Sequence, residues 1–233
     1  MIFPIGDDQV KGGSKPMFAY AFIGINVLIF IFQAMMGPTQ LEQFIMNYGS
    51  IPADISHGNH LFTLFTSMFL HGGWMHLIGN MLFLWVFADN IEAVIGNFNF
   101  ILFYLIGGLA AALAHVWSGP GSNIPAVGAS GAISAVLGAY LVMFPSSKIK
   151  VLVLYFFRSF YMPAVLFLGF WILQQLISGF FSLGSSASQA QTSGVAWWAH
   201  IGGFAFGIVA GLVARRMIEN VSPAVSQNRE EFV

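Results

Sequence analysis

Two stretches of this chain carry residue types that could act on one another. Val127-Gly128-Ala129-Ser130-Gly131-Ala132 places a hydroxyl between small residues, at the head of an apolar run that continues through Ile133, Val136, Leu137 and Leu141 to Phe144. Ala199-His200-Ile201-Gly202-Gly203 places an imidazole at the head of another such run. A serine hydroxyl is a weak nucleophile at neutral pH and needs a general base within about 2.6–3.2 Å, most often an imidazole. Ser130 on its own reads as helix-packing filler, so the functional reading rests on the pair. His76 and Asn80 stand at i and i+4, on one face of a helix. With the backbone N–H of Ser130 they could supply donors to an oxyanion, and losing one such donor typically costs ~10²–10³ in rate. Asp89 and Glu92 read as charges at the far end of the helix that carries His76 and Asn80, and Glu42 and Asp54 fall in an outer segment. With no carboxylate at matching depth, the expectation is a Ser–His dyad, and the sequence identifies no third group to orient His200.

The elements that must position these groups follow from composition. Of 233 residues, 57% are hydrophobic, 16% aromatic and only 7% charged, which is the composition of an integral membrane protein. The formal net charge of -1 leaves no basic surface for nucleic acid. Zero cysteines exclude disulfides, thiolate metal sites and a cysteine nucleophile. His57 and His60 read as solvated loop residues, His71 as loop packing and His115 as an interfacial residue near the outer end of its helix. Lacking a His-Glu-x-x-His helix, the chain is expected to use no metal or other cofactor.

Residues 17–36 form a 20-residue apolar run interrupted by Asn26 and Gln33, long enough to span roughly 30 Å of hydrocarbon. Gly37 and Pro38 end it. Residues 61–70 are apolar but too short to cross, which predicts an interfacial or re-entrant element. Further helices are expected at 74–88, 98–117, 127–144, 164–181 and 196–214, with 151–157 as a lead-in to the fifth. A Ser/Gly/Ala/Gln loop at 182–194 and a polar tail complete the chain. The domain reading is an N-terminal segment at 1–16, a six-helix membrane unit at 17–214 and a tail at 215–233. The first run is read as a retained helix, because no small-residue cleavage site follows it.

Six crossings bring both termini to one side. Lys11, Lys15, Lys148, Lys150, Arg215, Arg216 and Arg229 all fall there, and the loops assigned to the other side contain no Lys or Arg, so the basic side is expected to be cytoplasmic. Helices two, four and six then run in the same direction, which puts His76, Asn80, Ser130 and His200 at similar depth in their outer halves. Ser134 and Gly138 share the face of Ser130, and Gly203, Gly207 and Gly211 follow His200 on one stripe. Small-residue stripes let lipid-embedded backbones approach closely, so helices four and six are expected to be neighbours. Trp197 and Trp198 read as interfacial belt residues beside the site.

Taken together, these residues resemble the rhomboid intramembrane serine proteases. The resemblance is carried by His71-Gly72-Gly73-Trp74-Met75-His76-Leu77-Ile78-Gly79-Asn80, by Gly128-Ala129-Ser130-Gly131, and by Ala199-His200-Ile201-Gly202-Gly203 with Gly207. It implies an all-α, six-transmembrane-helix rhomboid-like bundle with a Ser130–His200 dyad and oxyanion contacts from His76 and Asn80. The partners it implies are the lipid bilayer and single-span membrane proteins, cleaved in or near their transmembrane segments, with the 182–194 loop capping the site. The location expected is a bacterial or archaeal cell membrane. The competing class is a non-catalytic relative that binds transmembrane helices. The chain departs from the family pattern after Glu92, where Ala93, Val94 and Ile95 stand in place of a nearby arginine.

Overall fold

A computed structural model of the chain describes residues 2–8, 13–183 and 196–221, with side chains as far as 216 at the C-terminal end. The elements are β1 (Ile2–Gly6), α1 (Met17–Ala34), α2 (Pro38–Tyr48), α3 (Pro52–Ser56), α4 (Thr63–Thr66), α5 (Trp74–Ile95), α6 (Asn97–Ser118), α7 (Ser130–Met143), β2 (Lys148–Val153), β3 (Arg158–Pro163), α8 (Ala164–Leu183) and α9 (Trp197–Val221). Residues 184–194 of the expected loop, and the tail beyond residue 221, lie outside the described residues.

Among the described residues, α1, α5, α6, α8 and α9 are long and apolar enough to cross a membrane, and α7 is a shorter apolar helix. The fold is the mostly helical six-helix membrane bundle read from the sequence. Its centre is α7, whose residues 132–140 are buried without a break. A helix apolar on every side must be enclosed by others, and α9 makes its most extensive contact with it. The glycines explain how close that contact is. A Cβ on Gly203 would overlap the carbonyl oxygen of Gly131, one on Gly207 that of Ala135, and one on Gly138 that of Phe204. The small-residue stripes of the two helices are pressed backbone to backbone.

Helix four is shorter than the expected 127–144. With 14 residues it extends roughly 21 Å at 1.5 Å per residue, less than the roughly 30 Å of a hydrocarbon core. Gly128 has φ +128°, a conformation favouring glycine, so residues 127–129 stay out of the helix. Its N–H bonds to the Ser67 carbonyl oxygen at 2.9 Å. The helix therefore begins inside the bundle, with Ser130 as its first residue. The short α4 and the 3₁₀ turn Ser67–Phe69 form the non-spanning element expected at 61–70.

Two further expectations need correction. Helix two continues to Ile95, seven residues past its expected end at Ala88, and Asp89 and Glu92 are buried rather than surface charges. Glu92, with no exposed surface, accepts the N–H groups of Phe18 at 2.9 Å and Ala19 at 2.7 Å. The first N–H groups of a helix have no partner within it, and an acid there also complements the helix dipole. Glu92 thus caps α1 from another helix, and α5 stops only at Gly96, where φ is +82°.

The second correction concerns 151–157. It is a strand and turn, part of a three-stranded antiparallel sheet in the order β1-β2-β3. The alternation Lys148-Ile149-Lys150-Val151 has the period of two expected of a half-buried strand, and Ile149 and Val151 are buried in the main core. The sheet lies under the end of the bundle opposite Ser130. It is fastened there by Asp7, which accepts from the Tyr140 hydroxyl of α7 and, at 2.6 Å, from the Asn90 side-chain N–H of α5.

Candidate active site

Ser130 opens α7 and His200 lies in the first turn of α9, so both groups enter from the same end of the bundle. His200 Nε2 and Ser130 Oγ are 2.8 Å apart. On its other side the ring meets Gln175 of α8, with Nδ1 2.8 Å from Oε1. The Gln175 amide nitrogen donates to the Trp171 carbonyl oxygen at 3.4 Å, leaving Oε1 for the imidazole. An amide oxygen only accepts, so Nδ1 carries the ring proton and Nε2 is the acceptor for the serine hydroxyl. That is the tautomer a general base needs. Trp171 lies tilted across the ring at 5.7 Å between centroids, and Trp197 meets it edge-on at 6.4 Å.

Gln175 is a residue of the candidate site that the sequence reading missed. The available signal was an amide inside an apolar run, since a polar group in hydrocarbon faces the bundle interior and a partner. The adjacent Gln174 blunted it, because nothing local says which of the two points inward. Gln175→Leu is expected to slow reaction of Ser130 with a serine-directed fluorophosphonate about tenfold, the equivalent of one hydrogen bond of about 1.4 kcal/mol. Gln175→Glu keeps an acceptor at that position and is expected to recover most of the rate. The labelling rates of the two variants separate a positioning role from general damage to the fold, which would spare neither.

His76 and Asn80 occupy successive turns of α5 and both face Gly128. The position a Cβ would take on Gly128 is 2.7 Å from His76 Nε2 and 3.5 Å from Asn80 Nδ2. Two potential donors therefore converge on the loop immediately before Ser130, as their spacing suggested. Asn80 Nδ2 also lies 3.0 Å from His71 Nε2. Burial, and secondarily His76, lowers the His71 pKa to about 4, so a neutral His71 ring accepts one Asn80 N–H and leaves the other pointing at the site. His71 is held in turn by Gln33 of α1, which accepts its backbone N–H at 3.0 Å and donates to its carbonyl at 3.2 Å. The polar interruption in the first apolar run is thus a support for the site, and His71 is more than loop packing.

A cavity of about 40 Å³ borders Ser130, between α6, the Ser67–Phe69 turn and the start of α9, with Ser50, Ser67 and His115 among its lining residues. Ser50 Oγ and His115 Nδ1 are buried and have no hydrogen-bond partner among the described residues. A polar cavity of this size has room for water. His57 and His60 stand apart, exposed on the outer segment, His60 beside Asp54 at 3.2 Å.

A match to a known family falls on these same elements. A family profile described as Rhomboid domain matches residues 58–217. Rhomboid protease GluP of Bacillus subtilis is 31% identical over 134 residues, covering 58% of this chain and 26% of that protein. Rhomboid protein 1, mitochondrial, of Saccharomyces cerevisiae is 29% identical over 212 residues, covering 86% of this chain and 54% of that protein. Rhomboid protease GlpG of Klebsiella pneumoniae is 28% identical over 122 residues, with coverages of 52% and 41%. The chain spans between about a quarter and about half the length of these relatives. Since the profile runs from the loop before α4 into the last turns of α9 and takes in Ser130, His200, His76 and Asn80, this multi-pass membrane protein belongs to the rhomboid family.

Proposed function

We propose that the chain is an intramembrane serine endopeptidase that cleaves peptide bonds in or near the transmembrane segments of single-span membrane proteins. The observation that carries this reading is the 2.8 Å approach of His200 Nε2 to Ser130 Oγ, at the recessed start of a 14-residue helix. His200 Nε2 takes the hydroxyl proton as Oγ bonds to the substrate carbonyl carbon. The negative charge that forms on the carbonyl oxygen meets Asn80, His76 and the Ser130 N–H. The C–N bond then breaks as the imidazolium returns its proton to the leaving amine. Water from the adjoining cavity attacks the acyl carbon, gives a proton to Nε2 and releases the acid, and the proton passes back to Oγ.

A substrate helix buries its peptide bonds in its own hydrogen bonds, so it must unwind locally to be cut, and helix-breaking residues near the cleavage point are expected. Residues 17–214 would form the membrane catalytic unit. The clustering of Lys and Arg at the end away from Ser130 supports an orientation with both termini cytoplasmic and the site opening to the other side.

The test is labelling of the full chain in detergent by a fluorophosphonate, which reacts only with an activated serine. Label on Ser130, absent from the Ser130→Ala variant, is the expected result. A chain that binds single-span helices and takes up no label would instead be a non-catalytic binder, and the proposal would fall.

A further inference from the structure

The hairpin at the end of the bundle opposite Ser130 has a surface that the cleavage reaction does not use. Residues paired across antiparallel strands share one side of a sheet. The register pairs Ile149 with Met162 and Val151 with Phe160 on one side, and Lys150 with Tyr161 and Leu152 with Ser159 on the other. The first side faces the helices, because Ile149 and Val151 are buried in the main core together with Leu168 of α8. The strands therefore run across the end of the bundle, parallel to the membrane plane. Phe160, on that same side but one strand further out, is 46% exposed. The outer strand overhangs the helices, at the level where lipid headgroups surround their ends.

Beyond the overhang, the turn consists of Leu154, Tyr155, Phe156 and Phe157, with Tyr155 82% and Phe157 81% exposed. At about 3.3 Å per residue, β2 carries Val153 roughly 7 Å past the buried Val151, and the turn lies beyond it. Phe157 has φ +49°, a region in which a bulky residue is an outlier, so an aromatic is kept where glycine or asparagine would be relaxed. Arg158 follows at once and pairs with Val153, on the side of Ile149 and Val151, whereas Lys148 and Lys150 lie on the water side of the sheet. None of the three has an ion pair among the described residues. Both ends of the hairpin are tied to the bundle, to α7 through residues 144–147 and directly to α8 at Ala164.

We propose that this aromatic tip inserts into the lipid interface of the leaflet opposite Ser130, with Arg158 on lipid phosphate, so that the sheet is a membrane anchor at the entry to α8. Aromatic residues with apolar bodies settle at headgroup level, and cations beside them meet phosphate. The bilayer is the occupant because the tip is tethered within its reach and overhangs in its plane.

The chain has no cysteine, so a single introduced thiol is unique. Full-length protein carrying Phe156→Cys or Tyr155→Cys is labelled with a nitrobenzoxadiazole dye and reconstituted in phosphatidylcholine–phosphatidylglycerol vesicles. Ser159→Cys, on the water side of the sheet, serves as the reference. The expected result is blue-shifted emission at 155 and 156, with several-fold stronger quenching by shallow spin-labelled lipid than at 159. Iodide should quench in the reverse order. Water-like emission with iodide quenching equal to that at 159 would overturn the proposal, and so would a blue shift that spin-labelled lipid does not quench, because the tip would then be covered by protein. Neither result bears on whether Ser130 is reactive.

Discussion

Ser130→Ala is expected to reduce cleavage of a single-span substrate by about 10⁴-fold or more, to the limit of detection, while leaving thermal unfolding in detergent unchanged. Among the described residues Ser130 Oγ makes one close polar contact, to His200 Nε2 at 2.8 Å, and α7 is held by its buried apolar residues, its first turn closed by the Ser134 hydroxyl donating to the Ser130 carbonyl oxygen at 2.6 Å. Removing Oγ deletes the nucleophile and touches neither support. His200→Ala is expected to cost about as much, because an unactivated hydroxyl is hardly better than none. The double variant should then be no worse than either single one, since the two groups act as a unit. Additive losses, or residual cleavage within tenfold of the unmodified protein, would show that another group performs the attack. The assay is single-turnover cleavage in proteoliposomes, which keeps substrate binding apart from chemistry.

Gly207→Val is expected to be the most damaging change away from the reacting atoms. A Cβ there falls on the carbonyl oxygen of Ala135, a backbone atom that cannot swing aside as the tip of a side chain can. The seam between α7 and α9 must open. Overpacking of this kind costs about 3 kcal/mol, and a displacement of about 1 Å between reacting groups costs on the order of 10² in rate. Stability and cleavage should therefore fall together. Gly169→Val is the control, because a Cβ at Gly169 meets nothing within 4 Å, and it is expected to leave both nearly unchanged. Thermal unfolding and cleavage of the two variants decide the matter. Equal behaviour would mean that the glycine stripe does not set the distance between Ser130 and His200.

Much of the site was legible because its signals are local. The spacing of His76 and Asn80 put both on one turn-to-turn face of α5, and the Gly203–Gly207–Gly211 stripe marked where α9 could approach another backbone. Gln175 shows where local reading stops, since an amide beside a second amide has no pattern that tells which one meets the imidazole. Gln33 is similar: an interruption of an apolar run reveals that a partner exists, and only the fold names the backbone of His71. The carboxylate of Glu92 misled for the same reason. At the end of an apolar run a charge reads as the membrane surface, although in place it accepts two N–H groups from α1.

The amino-acid order alone determined what depends on hydrophobic length and period: membrane residence, the six apolar helices of the bundle, and the placing of a hydroxyl, an imidazole and two donors toward one end of it. Tertiary structure decided what depends on contacts between distant segments. These are the 2.8 Å approach of Ser130 to His200 across 70 positions, the tautomer set by Gln175, and the pairing of Ile2–Gly6 with Lys148–Val153 in a sheet under the bundle. A periodic apolar pattern specifies that a face must be buried. Which face covers it is settled only when all the helices pack at once.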